Sequence, residues 1–405
     1  MLQTKKFWNL FKWLGLMKEN KIKINYSDFI KKNNLPSVGE KVVVAMSGGV
    51  DSSVAAVLLK QAGYDVIGVT MQLHQSKKVV NKTKTCCSGV DIADARNVAK
   101  KFGFKHYIID LQKEFKKSVI DDFTKSYLRG ETPIPCIRCN ESVKFRDLID
   151  FAKNVGAKVL VTGHYVKTIF NGNSIQMYQA NDYKKDQSYF LFATTTSQLE
   201  FLRFPLGFFK KNEVRKLANF YELGNADKPD SQDICFVPEG NYRDFINNQR
   251  KTKISNSKGE IIDLEGNILG KHNGVRNYTV GQRKGIGIGG IKGNLEHNPK
   301  YVIKIDARNN KLIVGTRDNL KKYKIYLKNI NMINKNTSDL FKADVKIRSG
   351  EKKINAIIKI ISNKNGVVEL KKPEFGVAPG QACVFYNNDQ LLGGGWITAS
   401  ELEIC

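Results

Sequence analysis

Three cysteines and one glycine-serine loop carry the chemistry open to this sequence. The loop is Ser47-Gly48-Gly49-Val50-Asp51-Ser52-Ser53. Glycines let main chain approach an anion, and N–H groups at a helix start suit a phosphate. Ser47, Ser52 and Ser53 add hydroxyl donors. Asp51 sits awkwardly beside a phosphate, unless it caps the loop or meets the anion through a metal. The loop matches neither G-x-x-x-x-G-K-[ST] nor G-x-G-x-x-G. A serine-capped turn is the plain alternative, but so many glycines and hydroxyls rarely crowd a mere turn. Cys136-Ile137-Arg138-Cys139 forms C-x-x-C in a proline-rich loop before a helix. A thiol placed there has a lowered pKa and is a better nucleophile. Zinc is the rival reading, yet a structural zinc site needs four ligands and no second C-x-x-C exists. Cys235 stands alone in Ser231-Gln232-Asp233-Ile234-Cys235-Phe236. A lone cysteine is commonly a core thiol, but these polar neighbours favour exposure.

The elements that must position these groups alternate in type. Val42–Met46 reads as a buried parallel strand, followed by helix 52–62 that Gly63 closes. Strand 65–71, helix 91–102, strand 106–110, helix 112–129, loop 131–140, helix 141–155 and strand 159–162 follow. The order predicts an α/β fold, an open parallel sheet with helices on both faces. Ligands of such sheets bind outside the carboxyl ends of the strands. Met46, Met71 and Thr162-Gly163 should lie at that edge, with Met71 near a base and Gly163 near a ribose or adenine. From 166 to 250 the pattern breaks. Beyond about 255 short strands with turn signals predict two small, mostly β domains, the last a β-barrel with strands near 323–330, 343–348, 354–361, 366–371, 382–387 and 392–399. The expected division is an N-terminal extension (1–38), a catalytic domain (39–250), a central β domain (251–320) and the barrel (321–405).

The 405-residue chain carries 66 Lys+Arg against 39 Asp+Glu, a formal charge of +27. Such an excess attracts a polyanion, RNA above all, although Lys, Asn and Ile enrichment from an AT-rich genome supplies part of it. No apolar run approaches the roughly 20 residues of a membrane helix. Seven cysteines, an odd number at low density with no secretory signal, fit a reducing, cytoplasmic setting. Residues 1–32 are basic, with Phe7, Trp8, Leu10, Phe11 and Leu14 at amphipathic spacing, and are expected to be a loose extension.

SGGVDSS resembles the PP-loop of the ATP pyrophosphatases, which cleave ATP between the α and β phosphates and adenylate a carbonyl oxygen. The match widens with Cys136–Asn140, Thr162-Gly163-His164-Tyr165, Lys185-Asp186-Gln187-Ser188-Tyr189-Phe190-Leu191, Asp233–Phe236, Gly281-Gln282-Arg283-Lys284-Gly285 and Pro379-Gly380-Gln381. In this order, over residues 40 to 400, they resemble the bacterial tRNA-specific 2-thiouridylases, which replace O2 of the wobble uridine with sulfur. The resemblance implies a PP-loop fold and ATP with Mg2+ in a pocket of Ala45, Met46, Ser47, Gly48, Gly49, Val50, Asp51, Ser52, Met71 and Gly163. It implies Cys235 as persulfide carrier and Cys139 as the second catalytic cysteine, the two able to form a disulfide as sulfur is released. It further implies tRNA contacts at Ile134, Pro135, Cys136, His164, Lys185, Asp186, Gln187, Arg348, Ser349 and Gln381. The partners so implied are tRNA and a sulfur-relay protein or cysteine desulfurase, with the enzyme a monomer.

One position departs from the pattern. Many members carry Asp where Cys136 stands, as an acid/base; a free thiol titrates near about 8.5 and fills that role less readily. Cys136 is instead expected to serve as an alternative resolving thiol. Two other functions compete with thiolation: an amide- or guanidine-forming ligase, and an RNA-binding protein without catalysis. The charge yields a first prediction: affinity for tRNA falls steeply from low to moderate salt, as phosphate contacts do. Filter binding across a salt series checks it, and a flat profile contradicts a basic RNA surface.

Overall fold

The computed structural model describes residues 24–74, 89–172, 174–230, 234–237, 242–249, 258–288, 299–333, 338–362 and 364–399. The expected parallel sheet is present. Strands β1 (Lys41–Ala45), β2 (Asp65–Gln72), β3 (Lys105–Asp110) and β4 (Val159–Thr162) form it, together with a short β7 (Leu202–Arg203), in the order β3-β2-β1-β4-β7. The register places Val43 between Ile67 and Leu160. Val42, Val43 and Val44 are fully buried, because a central parallel strand is covered on both faces and has no polar side to show. The helix after β1 spans Val50–Gln61, two residues earlier than expected, and packs Val54 to Leu59 inward. Gly63 follows it at φ +92°.

The long helices depart from the expected bounds. Gln112–Phe115 and Asp121–Leu128 are α-helical with a π-helical stretch, Lys116–Ile120, between them. The expected loop 131–140 is cut short: helix Pro135–Arg138 starts within it, continues as a π-helix over Cys139–Asp147 and returns to α over Leu148–Asn154. Proline at the first helical position gives up no hydrogen bond, and Ile137, Val143 and Phe145 supply an apolar stripe that the core buries. The C-x-x-C therefore lies in the helix rather than ahead of it, and Cys139 opens the π stretch, an irregularity common at functional sites.

Besides the short β7, two further strands of the catalytic domain were not foreseen. β5 (Val166–Asn171) and β6 (Ser174–Gln179) form a hairpin of the catalytic domain. β6 pairs with β17 (Gln390–Ile397) at the far end of the chain. The C-terminal strands β12 (Lys321–Met332), β13 (Leu340–Lys346), β14 (Ile354–Ser362), β15 (Asn365–Phe375), β16 (Ala382–Asn387) and β17 close into a barrel through β12–β17 pairing. All six expected barrel strands are present. The central domain is a four-stranded sheet, β10-β11-β8-β9, from β8 (Gly259–Ile262), β9 (Ile268–His272), β10 (Tyr301–Asp306) and β11 (Lys311–Gly315). The β10–β11 hairpin turns at Asn309-Asn310, as expected, with Asn310 at φ +53°.

The end of the segment expected to be a loose extension is packed. Helix Tyr26–Lys32 buries Phe29 against Phe209, Leu35 is buried, and Tyr26 bonds Tyr221 hydroxyl to hydroxyl at 2.9 Å. Two aromatics at helical spacing, Tyr26 and Phe29, each with an aromatic partner, outweigh the basic composition. Phe7, Trp8, Leu10, Phe11 and Leu14 lie outside the described residues, as do Cys86, Cys87 and Cys405. No helix among the described residues is long and apolar enough to cross a membrane.

Gly48 fixes how the loop meets its neighbour. It sits at φ +74°, and a Cβ there would stand 2.2 Å from the Asp91 carbonyl oxygen. Both the backbone conformation and the space exclude a side chain. Gly48→Ala is expected to cost at least about 2 kcal/mol, measured as a lower urea midpoint; an unchanged midpoint contradicts the packing described.

Candidate functional site

A cavity of about 420 Å3 opens at the carboxyl edge of the parallel sheet. β1 ends in Ala45 and is followed by Met46, β2 contributes Met71, and β4 leads through Thr162 to Gly163 and His164; all line it. So do Ser47, Gly49, Val50, Asp51 and Ser52. The loop is knitted by its own hydroxyls. Ser52 Oγ accepts from the Ser47 N–H at 3.1 Å, and Ser53 Oγ donates to the Gly49 carbonyl at 3.0 Å. Asn225 donates to the Gly48 carbonyl at 3.0 Å and to Ser53 Oγ at 2.9 Å. Gly49, the N-cap, makes no side-chain capping bond, so the first amides of helix Val50–Gln61 face the cavity with the positive end of the helix dipole. Gly48 is turned toward Asp91 instead of lining the cavity. Gly163 lines it and is also tight: a Cβ there would lie 2.8 Å from the Ser52 nitrogen.

Asp51 is neither a helix cap nor in need of a metal to sit there. Its carboxylate accepts from the Tyr165 hydroxyl at 2.7 Å and from Lys211 Nζ at 2.8 and 2.7 Å. The Lys211 ammonium, on a residue 7% exposed, also meets Asp230 at 2.7 Å. Lys185 closes the chain on the other Asp230 oxygen, again at 2.7 Å. Burial alone would raise the Asp230 pKa, but the hydrogen bonds and charges of Lys185 and Lys211 outweigh it and hold the carboxyl at about 2. Lys228, also on the cavity wall, is paired with Asp91 at 2.6 Å and Asp94 at 2.8 Å. Tyr165, Lys211, Asn225, Lys228 and Asp230 are functional neighbours that motif reading missed as such. Tyr165 stood inside a noticed motif, without a role, and Asp230 next to one, while nothing in the local spacing singles out Lys211.

The cysteines converge on the same space. Cys136 is exposed, Cys139 is buried, Cys235 is half-buried, and all three line the cavity as reduced thiols. Cys235 is held by its neighbour: Phe236 is buried among Phe115, Phe123 and Phe245, with ring centroids 5.2–5.6 Å away. The His74 imidazole bonds the Cys235 main chain from the end of β2. Residues 231–233, expected to form a polar turn, lie outside the described set.

Of the residues linked to tRNA by resemblance, Pro135, Cys136, His164, Lys185 and Gln187 line the cavity. Ile134 lines a small adjoining cavity with Arg138 and Trp396. The Asp186 carboxylate is turned inward, accepting from Ala180 N, Gln179 Nε2 and Ser188 Oγ at 2.7–3.1 Å. Gln381 Nε2 donates to the Thr132 carbonyl at 2.9 Å, beside the segment that leads to Pro135. Arg348, next to Ser349, donates to the carbonyls of Phe375 and Gly376 and pairs with Glu351. Neither Arg348 nor Ser349 reaches the cavity wall.

The comparisons with known proteins bear on this geometry. Residues 40–239 match the family described as "tRNA methyl transferase HUP domain", 243–316 its PRC-barrel domain, and 322–397 an "aminomethyltransferase beta-barrel domain". The chain is 49% identical over 361 residues to a tRNA-specific 2-thiouridylase of Rickettsia prowazekii, covering 89% of this chain and 99% of that one. It is 47% identical over 363 residues to the protein so named in Rhodospirillum centenum, covering 89% and 92%. The chain belongs to the tRNA-specific 2-thiouridylase family. A relative of that name in a Wolbachia of Drosophila simulans is 50% identical over 360 residues, 88% of this chain and 94% of that one. A solved 4-thiouridine synthetase–RNA complex with bound ATP is similar over 52% of this chain and 51% of that one, at 20% identity and a TM-score of 0.30, too distant to carry an argument.

This 2-thiouridylase family member keeps His164 neutral. Burial, then the charge of Lys144, lowers its pKa to about 3. Its Nδ1 is 2.7 Å from Thr162 Oγ1, and Phe145 and Phe204 meet the ring edge-on. The other described histidines, His74, His106 and His272, are shifted down too, each first by burial. A folded pKa below the unfolded value near 6.5 means that the unfolded chain binds more protons. Stability is then complete above about pH 6.5 and lost as pH falls toward 3. Urea titrations between pH 7 and 4 should show this loss, and His164→Gln should flatten it; an equal slope in the variant contradicts a neutral, half-buried imidazole on the cavity wall.

Proposed function

We propose that the protein catalyses ATP-dependent 2-thiolation of the wobble uridine of tRNA. The carrying observation is that one cavity gathers the glycine-serine loop, the C-x-x-C helix and Cys235. ATP would place its phosphates on the amides of Gly49 to Ser52 and its base toward Met71, in keeping with the sheet-edge rule. A uridine carbonyl is a poor electrophile. Transfer of AMP to its C2 oxygen, with release of pyrophosphate, turns that oxygen into a leaving group. The target base must leave its stack to reach the cavity, where Pro135, Cys136 and His164 would meet it.

Sulfur then arrives as the outer atom of a Cys235 persulfide, charged by a sulfur-relay protein or cysteine desulfurase. That atom attacks C2 and AMP departs with the oxygen. Cys139 attacks the Cys235 sulfur, forms a disulfide and leaves the thiocarbonyl on the base. Two electrons pass from the two cysteine thiols to the transferred sulfur, so an external thiol must reduce the disulfide before the next turnover. The buried position of Cys139, on the wall of the cavity that the half-buried Cys235 also lines, suits a resolving thiol shielded from bulk thiols. Among the described residues no cluster of three or more His, Cys, Asp or Glu can hold a metal, and Asp51 and Asp230 already share Lys211. Mg2+ would enter with ATP, held chiefly by its phosphates.

Mass analysis of 2-thiouridine in a tRNA transcript, with purified protein, ATP and a persulfide donor, tests the proposal. Cys235→Ser is expected to abolish sulfur incorporation while tRNA binding persists. Asp51→Ala is expected to abolish adenylation with tRNA affinity near normal. ATP turnover without sulfur incorporation would make the protein a ligase, and binding without either reaction an RNA-binding protein. If Cys139→Ser removes all thiolation while Cys136→Ala retains it fully, Cys136 is not an alternative resolving thiol.

A further inference from the structure

The first turn of the helix bearing Cys136 and Cys139 is attached to the C-terminal barrel on both sides of Cys136. Ahead of it, both main-chain groups of Thr132 are taken by one barrel loop. The Thr132 N–H donates to the Pro379 carbonyl at 2.7 Å, and the Thr132 carbonyl accepts from Gln381 Nε2 at 2.9 Å. That loop is itself tied to β17, with the Gly380 N–H on the Ile397 carbonyl at 2.9 Å and the Ile397 N–H on the Gln381 carbonyl at 2.8 Å. Gly380, at φ +86°, presses on the strap: a Cβ there would stand 2.9 Å from Glu131 Cβ and 3.0 Å from the Thr132 nitrogen. Behind Cys136, Arg138 stacks its guanidinium 4.3 Å from the ring centroid of Trp396, also on β17. It is aimed there by Glu141 at 3.0 Å and Asp122 at 3.6 Å. The segment is braced from the central domain as well, since a Cβ on Gly130 would lie 2.7 Å from Ile305 of β10.

We infer that this two-point attachment to β17, through Thr132 and Arg138, sets the position of the Cys136 and Cys139 thiols, so that the barrel is a positioning element of the sulfur chemistry. Hydrogen bonds to both main-chain groups of one residue fix a peptide plane, and a stacked guanidinium fixes a rotation. Together they leave the turn Pro135–Arg138, which carries Cys136 and leads directly into Cys139, little freedom. Near-attack geometry tolerates little error; a shift of about 1 Å is enough to cost about 10²-fold in rate. The barrel thereby acts through Thr132 and Arg138 on thiols it does not itself supply.

The test uses the full-length chain with Gly380→Ala and Arg138→Lys. Single-turnover thiolation of a tRNA transcript is read beside tRNA affinity, ATP affinity and the alkylation rates of Cys136 and Cys139 by iodoacetamide, each mapped by peptide mass. The expected result is a turnover lower by about 10²-fold for Gly380→Ala, with tRNA and ATP affinities unchanged. Cys139, buried in the wild type, should gain alkylation relative to Cys136. Arg138→Lys, which keeps the charge but loses the stacked plane, should change both readouts in the same direction and decides the matter alone if Gly380→Ala fails to fold. Thiolation falling in proportion to tRNA affinity, with the alkylation ratio unchanged, overturns the inference: the barrel would then serve only to hold RNA. The inference rests on the proposed thiolation for its rate readout alone. A wild type that incorporates no sulfur defeats that proposal, while the alkylation ratio still decides whether the strap positions the thiols.

Discussion

The site depends on one buried ammonium. Lys211 stands between Asp51 of the glycine-serine loop and Asp230, which precedes Cys235 by five residues. Without that cation two carboxylates would face each other inside the cavity proposed to take ATP. Removing one partner of a buried charge group commonly costs about 3–5 kcal/mol, because the remaining charges lose their compensation. With the cation in place, the loop that would receive ATP and the segment that would carry sulfur are joined by paired charges, and Lys185 extends the pairing to a further wall of the cavity.

Much of the fold was legible because its signals are local. Val42-Val43-Val44 could only be a strand covered on both faces, and Gly63, Gly156 and the Asn309-Asn310 turn marked ends that the structure keeps. The barrel strands announced themselves through β-branched residues at close spacing. The β5–β6 hairpin was missed although its own signal is local, Asn171-Gly172 between the alternating runs 166–170 and 174–178; only the pairing of β6 with β17, some two hundred residues on, leaves no trace in a short window. The start of the cysteine helix was misplaced for a related reason: Pro133 and Pro135 read as loop, yet Pro135 is well suited to a first helical turn.

The candidate site divides in the same way. The glycine-serine loop, the C-x-x-C and Cys235 have distinctive residue types, and all reach one cavity. Lys211 and Asn225 are ordinary residues on ordinary helical or turn sequence, and become notable only when the chain folds them against Asp51 and the Gly48 carbonyl. Asp186 shows the converse. It sits in a conspicuous polar run, but its carboxylate organises the bend between β6 and Ser188.

The pairing of β6 with β17 has a consequence for biosynthesis. Residues 174–179 leave the ribosome long before Gln390 and Leu391, their partners, have been added. At about 5–20 residues per second, the sheet edge of β6 waits roughly ten to forty seconds for its neighbour. During that interval the nascent catalytic domain carries an unsatisfied strand, a template for pairing with other chains. Completion of the last strand is thus the event that seals the first domain, and any product of premature termination keeps that edge open.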